Sequence, residues 1–405
     1  MRRNGMRRTI ITALSTVGTL VLLAAPASAD GTVTWAPVHT TSTGDQDNPS
    51  VATSRGGYTA VVWEDDRDAT NPGDAVHTEV YARLYRDGTS SWEKKVSPGG
   101  TGNWSHVQPD VAVRPDGGVV VVWADDNDGN GYYQIRVQTY SAAGADTGSA
   151  TANATAAGQQ LNPEVAVNPE GPGFAVVFED QQDGAQPTVR LSGYDSITAK
   201  AYEKQVHATG GTNRHPDVAM GAAGNAIVVW DEDIDANGFY NVGLASFTPT
   251  GAVKLAKRVA NQATDGQQEN ATVAADFNGD FVVGWETDHL GGDQLGVRSF
   301  TATGSAPAEA FIPGNDPQVG IDDQRDAVVY WTENDDVYVQ GLNPDGTGNG
   351  RQPRLRANTV ATGRQTQPAL AVDPFGRITM TYSDDPDGDD FDDVTIGTGL
   401  TNSTW

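Results

Sequence analysis

The sequence predicts an all-β protein, a seven-bladed β-propeller of four-stranded antiparallel blades whose N-terminal strand completes the last blade. Three observations predict it. A text such as Pro109-Asp110-Val111-Ala112 followed by Val119-Val120-Val121-Val122-Trp123 recurs down the chain, its second run ending at Trp63, Trp123, Phe178, Trp230, Trp285, Trp331 and Tyr382, 46 to 60 residues apart. Repeats of this period mark arrays of supersecondary units. No segment holds a 3.6-residue period, whereas short apolar runs bounded by Gly, Pro and Asp are everywhere. The runs that end at the aromatic anchors are apolar without alternation, which implies burial on both faces, as when blades stack around an axis.

The elements follow in order. Arg2, Arg3, Arg7 and Arg8 precede an apolar run from Ile10 to Ala25 and the small-residue site Ala27-Ser28-Ala29. This is the pattern of a secretory signal peptide over 1–29, which predicts a secreted, extracellular product. Arg7-Arg8-Thr9-Ile10-Ile11 also loosely resembles a twin-arginine signal, so the export route stays open. Residues 30–405 read as one propeller domain, with blades near 45–100, 106–158, 160–211, 213–266, 267–314, 315–363 and 364–405. In each copy strand a is the apolar run after the proline. A turn such as Pro115-Asp116-Gly117-Gly118 leads into strand b, which ends at the aromatic. An acidic, Gly-rich loop precedes strand c (Ile135 to Tyr140 in the second copy), and a turn leads to strand d, such as Glu93 to Ser97. The last copy stops after strand c, and residues 33–43 look like a strand d, so the two ends are expected to close the ring and leave no open edge.

Composition excludes whole classes of function. Acids outnumber bases 53 to 26, for a formal charge of −27. Phosphate-backbone binding rests on Lys and Arg releasing counterions, so nucleic acid is not a partner. No second apolar span follows the signal, so no membrane crossing is expected. With no cysteine there is no disulfide scaffold, thiolate zinc site or cysteine nucleophile. No P-loop or Gly-x-Ser-x-Gly elbow is present, and the six histidines show no metal-ligand spacing.

The acids have places. Strand reversal puts every b–c loop on one face, around the channel mouth. Two residues past the anchor stand Asp65, Asp125, Asp180, Glu232, Thr287, Glu333 and Asp384, and five past it Asp68, Asp128, Asp183, Asp235, Leu290, Asp336 and Asp387. A focused acidic rim is expected. Three loops alternate oxygen side chains: Asp126, Asp128 and Asn130; Asp233, Asp235 and Asn237; Asp385, Asp387 and Asp389. Alternating oxygens on a loop that turns at glycine suit a hard cation, so Ca²⁺ is a candidate cofactor. The loops resemble the first half of the calcium loops of EF-hands and of integrin-type and bacterial propellers. The bland alternative is aspartates capping tight turns. A second constellation follows the repeat proline: Asp110, Glu164 and Asp217 on three consecutive blades, against Ser50, Thr272, Gln318 and Ala369 elsewhere. Three carboxylates on neighbouring inner strands suit glycoside chemistry, and five-bladed propeller glycosidases arrange acids in that general manner. Polar caps on strand starts are the alternative.

Over residues 33–400 the repeat resembles those of secreted bacterial β-propellers, particularly the Pro-x-Val-Ala…Val-Val-x-Trp-x-x-Asp tracts of actinobacterial and calcium-associated surface proteins. The resemblance implies fold and compartment more than activity. The leading expectation is a lectin-like or adhesin-like binding protein. It would hold a neutral or basic glycan, or an extracellular protein, through Asp125, Tyr132, Tyr133, Glu232, Phe239 and Tyr240. The alternative is an extracellular glycoside hydrolase or polysaccharide lyase working at the channel mouth, with Asp110, Glu164 and Asp217 as its carboxylates.

Overall fold

In the computed structural model the described residues are 33–68, 77–99, 104–182, 186–207, 210–343, 353–359, 362–385, 388 and 391–402. Among them every regular element is a strand, and the strands form seven antiparallel four-stranded sheets arranged as blades. Residues 1–29, expected from the sequence to be a signal peptide, lie outside the described residues. No described helix is long and apolar enough to cross a membrane.

The innermost strands are Gln46–Thr53, Ser105–Val113, Gln159–Val167, Thr212–Met220, Gln268–Ala275, Asn315–Ile321 and Arg364–Val372. Strands b, c and d follow outward in sequence order in blades 1 to 6. Blade 7 is built from both ends of the chain. Thr34–Pro37 lies antiparallel to Asp393–Thr401, Thr34 opposite Thr398 and Pro37 opposite Thr395. The N-terminal strand thus supplies the seventh strand d and covers the edge that Asp393–Thr401 would otherwise leave open.

The apolar b strands explain the stacking. Val119–Asp126 is buried along its whole length, and the five anchor tryptophans are at most 1% exposed. Seven apolar clusters fill the seven seams between blades. One joins Trp123 and Val121 of blade 2 to Val62 and Leu84 of blade 1, and another joins Trp63 and Val61 to Val394 and Ile396 across the closure. No blade has a core of its own, so each is held by its neighbours.

One feature departs from the expected layout. Strand a begins about three residues before the proline rather than after it, with a register shift at the x-Pro pair of every blade. The residue before the proline (Ala271 in blade 5) takes a left-handed conformation in all seven: Asn48, Gln108, Asn162, His215, Asn270, Asp316 and Gln367, with φ between 44° and 55°. This is a β-bulge at the inner edge. It needs residues that tolerate positive φ and leaves the proline without a ladder bond to donate.

Candidate active site

The bulges build the mouth of the central channel. Glu64, directly after its anchor Trp63, accepts the Asn48 side-chain amide at 2.9 Å and the Gln108 N–H of the next blade at 2.8 Å. Glu179 likewise accepts Asn162 Nδ2 and the His215 N–H, and Glu286 accepts Asn270 Nδ2 and the Asp316 N–H. Where the residue after the anchor is Ala124, Gln108 and Asn162 instead exchange two amide hydrogen bonds directly. The strained backbone at the mouth is thereby fastened blade to blade.

Inside lies a cavity of about 780 Å³ lined by all seven strands a. It is asymmetric. Asp110, Glu164 and Asp217 sit in its wall on blades 2, 3 and 4, where the other blades present Ser50, Thr272, Gln318 and Ala369. Asp110 accepts Ser50 Oγ at 2.5 Å and the Val165 N–H of blade 3 at 2.7 Å. Asp217 accepts the Val273 N–H of blade 5 at 2.6 Å and Thr272 Oγ1 at 3.1 Å. Glu164, between them, is hydrogen-bonded to Asp110. Burial, then the charges of Asp110 and Asp217, push the Glu164 carboxyl well above the usual range. Burial carries Asp217 up to about 7 against the pull of the Val273 N–H. Asp110 is also raised by burial, while its hydrogen bonds oppose the shift. Like charges in one low-dielectric pocket cannot all ionise, so one group holds a proton beside another that has lost it.

His215, which shows no metal-ligand spacing in the sequence, also lines the cavity. It is the one basic residue among those lining the cavity. Its Nδ1 lies 2.9 Å from Asp231 Oδ2, and Asp231 also accepts the Asn270 N–H. Burial works against the imidazolium, but the hydrogen bond and charge of Asp231 outweigh it and raise the histidine pKa. The signal was readable: an acid follows the anchor at Glu64, Glu179, Asp231 and Glu286.

The expected acidic rim divides. Asp125 and Glu232 are buried rather than displayed. Asp125 takes the Trp123 indole N–H at 3.4 Å and lies 2.6 Å from His106 Nδ1, with Arg136 beyond. Glu232 pairs with Lys257 at 2.7 Å. Asp125 thus holds its anchor and Glu232 a lysine of the outer strand, which leaves little of either for a ligand. Tyr133 and Tyr240 are half-buried, Tyr240 beneath the Arg214 guanidinium at 4.0 Å. Tyr132 and Phe239 stand out at 54% and 51% exposure. Each is fixed by its own N–H donating to Asn130 or Asn237 Oδ1 at 2.7 Å.

In the D-x-D-x-N-G loops Asp126 accepts the Asn130 and Gly131 N–H groups, and Asp233 those of Asn237 and Gly238. Asn130 and Asn237 donate to Asp128 and Asp235. The oxygens thus cap their own turns. Among the described residues no group of three or more His, Asp or Glu is arranged to hold a metal. Asp385 is buried and accepts the Gly388 N–H, whereas Asp387 and Asp389, like Asp183, lie outside the described residues.

These features define a seven-bladed β-propeller with a polar cavity on its axis. No family model matches the chain, and no curated protein sequence is similar to it. Solved structures share the fold. The GH93 α-L-arabinofuranosidase of Fusarium graminearum, solved with arabinobiose, is 13% identical over 89% of this chain and 94% of that one, with a TM-score of 0.52. An α-L-arabinanase of Penicillium chrysogenum complexed with arabinobiose is 15% identical over 74% of this chain and 94% of its own, at 0.50. The polysaccharide lyase Uly1 is 11% identical over 88% and 89%, at 0.54.

Proposed function

We propose that this chain is an exported carbohydrate-active enzyme that hydrolyses a neutral glycan in the central channel, with Glu164 as its proton donor. The observation that carries the reading is the convergence of Asp110, Glu164 and Asp217 on one side of the cavity. Glycoside hydrolysis needs one carboxylic acid to protonate the leaving oxygen and one carboxylate to act on the sugar or on water. Glu164, kept protonated, is the acid. Asp110 keeps the proton on Glu164, and Asp217 is the base once ionised. His215, fixed by Asp231, offers a donor on the same side.

Carbohydrate-active enzymes among the fold neighbours support this reading over the lectin-like one, as does a cavity whose acids break the sevenfold repeat. A uronate polymer would bring negative charge to a cavity already lined by carboxylates and one histidine, which favours hydrolysis of a neutral chain over lyase chemistry. Tyr132 and Phe239, flanking Glu164 from blades 2 and 4, supply apolar faces for sugar rings outside the channel. Export follows the reading of residues 1–29. Calcium is proposed only as a support for the loops of Asp126 to Asn130 and Asp233 to Asn237, where Asp128 and Asp235 keep exposed oxygens.

The test is reducing-sugar release from purified protein on arabinan, galactan, xylan and β-glucan. Glu164→Gln should lose about 10²-fold or more in rate without change in melting temperature. Binding to these glycans with no turnover by the wild type would return the lectin-like reading to first place.

A further inference from the structure

The two faces of the ring are built differently. On the b–c face the described loops hydrogen-bond to the start of strand a in the next blade, as where the Gln160 N–H donates to Tyr133 O, and carry exposed side chains such as Tyr132, Ile234, Phe239 and Leu290. On the opposite face the a–b turns are tied to one another. The backbone of Gly56 in blade 1 lies so close to the Pro115 carbonyl of blade 2 that a Cβ at Gly56 would strike it. Arg114 Nη2 donates to the Pro172 carbonyl of blade 3 at 2.8 Å. Ala222 N–H of blade 4 donates to Phe277 O at 2.9 Å, and Phe277 N–H of blade 5 donates to Asp323 Oδ1 at 3.2 Å. Asp323 N–H of blade 6 reaches the Pro374 carbonyl of blade 7 at 3.4 Å.

Arg55 then crosses the ring. It leaves the a–b turn of blade 1, lays its guanidinium 4.1 Å over the Phe277 ring of blade 5 and bonds Asp323 of blade 6 at 2.5 Å. A charged fork stacked on an aromatic and paired with a carboxylate is a well-ordered arrangement, because the planar group satisfies both contacts at once. Below the main cavity, and sharing Thr53, Ala275, Ile321 and Val372 with it, this leaves a cup of about 150 Å³ lined by Arg55, Phe277, Asp323 and prolines of three turns.

We infer that the Arg55–Asp323–Phe277 bridge makes the channel a blind pocket, so that the site takes the end of a glycan chain rather than its interior. The inference rests on the carbohydrate-active reading for its substrate, but not for its geometry. A chain entering from the b–c face meets the carboxylates of blades 2 to 4 and then a floor. At about 780 Å³ the cavity falls within the range of sites that enclose a ligand of drug size, enough for a few sugar rings. The remainder of the chain must leave by the way it entered, over the loops of Tyr132 or Phe239.

Two measurements decide it. The chain has no cysteine, so Val167→Cys, at a half-buried residue of the lower cup, places a single thiol there. A small charged thiol reagent should label it slowly beside Arg55 and many-fold faster when Arg55→Ala is added. Equal rates overturn the closed floor, and Arg55→Lys, which keeps the charge, checks that faster labelling is not general unfolding. With debranched linear arabinan as the probe, the wild type should release one short product while viscosity falls slowly. Rapid viscosity loss at low bond cleavage would mean internal attack and overturn chain-end binding while leaving the hydrolase reading intact. No turnover on any neutral glycan removes the enzyme and the chain-end claim with it, and the labelling result still settles the floor.

Discussion

Gln367 of blade 7 and Asn48 of blade 1 exchange two hydrogen bonds across the seam where the ring closes, Gln367 Oε1 accepting the Asn48 N–H at 2.9 Å and Gln367 Nε2 donating to Asn48 Oδ1 at 2.6 Å. Both are bulge residues with left-handed backbone. The closure joins two strands of blade 7, Thr34–Pro37 and Asp393–Thr401, by non-covalent contacts alone, while residues 38–45 lead from the first of them into blade 1. It relies on this amide pair, on the strand Thr34–Pro37, and on Trp35, whose indole N–H donates to Ala357 O at 2.8 Å while its ring meets Tyr382 edge-on. Gln367→Ala leaves half-buried polar groups without partners and should cost about 1–3 kcal/mol, read from denaturant midpoints. Deleting residues 30–43 removes the whole strand, exposes the edge of Asp393–Thr401, and should give aggregated product with little soluble monomer. A truncated protein that stays monomeric with its melting temperature intact would show that the closure contributes nothing.

The same seam sets the pH dependence of stability. Asp47 faces Glu64 across strands a and b of blade 1, with Asp45 and Asp392 near. Burial, then the charge of Glu64, push Asp47 up to about 8, and burial pushes Glu64 up to about 7. Both values lie above those of an unfolded chain, so between about pH 4 and 8 the folded state binds more protons. Stability therefore falls as pH rises through that window. The melting temperature should be higher at pH 5 than at pH 8. Asp47→Asn should raise it at pH 8 and change it little at pH 5. A flat profile in wild type and variant alike would mean the seam acids ionise freely.

Much of this architecture is legible in the sequence because it repeats. The anchors Trp63 to Tyr382 mark the seams, the missing last strand points to residues 33–43, and the Pro-Asp, Pro-Glu and Pro-Asp of blades 2 to 4 mark the carboxylates. What the repeat hides is whether a polar side chain faces water or its own blade. Asp125 and Glu232 look like rim acids, but an indole N–H and a basic side chain from a neighbouring strand consume them, and sequence spacing does not reveal cross-strand partners. The bulge is hidden for a related reason. A proline preceded by Asn, Gln, His or Asp reads as a turn, yet here the ladder continues on both sides of it. The Arg55 bridge joins residues 268 positions apart and leaves no local signature.

Calcium discriminates between two uses of the D-x-D-x-N-G loops. If the cation supports the folded loops, saturating calcium stabilises by RT ln(1 + [L]/Kd), about 2.7 kcal/mol at a hundredfold excess over Kd. Asp128→Ala together with Asp235→Ala should abolish that rise, because these are the exposed oxygens not committed to backbone N–H groups of the turn apex other than Asn130. Calorimetry with no heat at millimolar calcium, and a melting temperature insensitive to chelator, would leave the aspartates as turn caps alone.

The carboxylate roles make their own prediction about rate against pH. The proposed hydrolysis needs Glu164 protonated and Asp217 ionised, and burial brings Asp217 to about 7 while Glu164 lies well above its usual value. Activity should therefore climb through about pH 7 as Asp217 loses its proton, and fall at higher pH as Glu164 loses its own. Because the three groups interact, the two limbs report the set rather than single residues. Asp110→Asn removes the charge that helps hold the proton on Glu164, so the alkaline limb should move to lower pH while the acid limb shifts less. Asp217→Asn should remove most of the rate at every pH, whereas His215→Gln, which loses a donor but no carboxylate, should weaken substrate binding more than turnover. The profile is measured as kcat/KM on the glycan that the substrate panel identifies. An optimum near pH 5 that survives in Asp217→Asn would assign the base to another group and leave the three carboxylates as braces between blades.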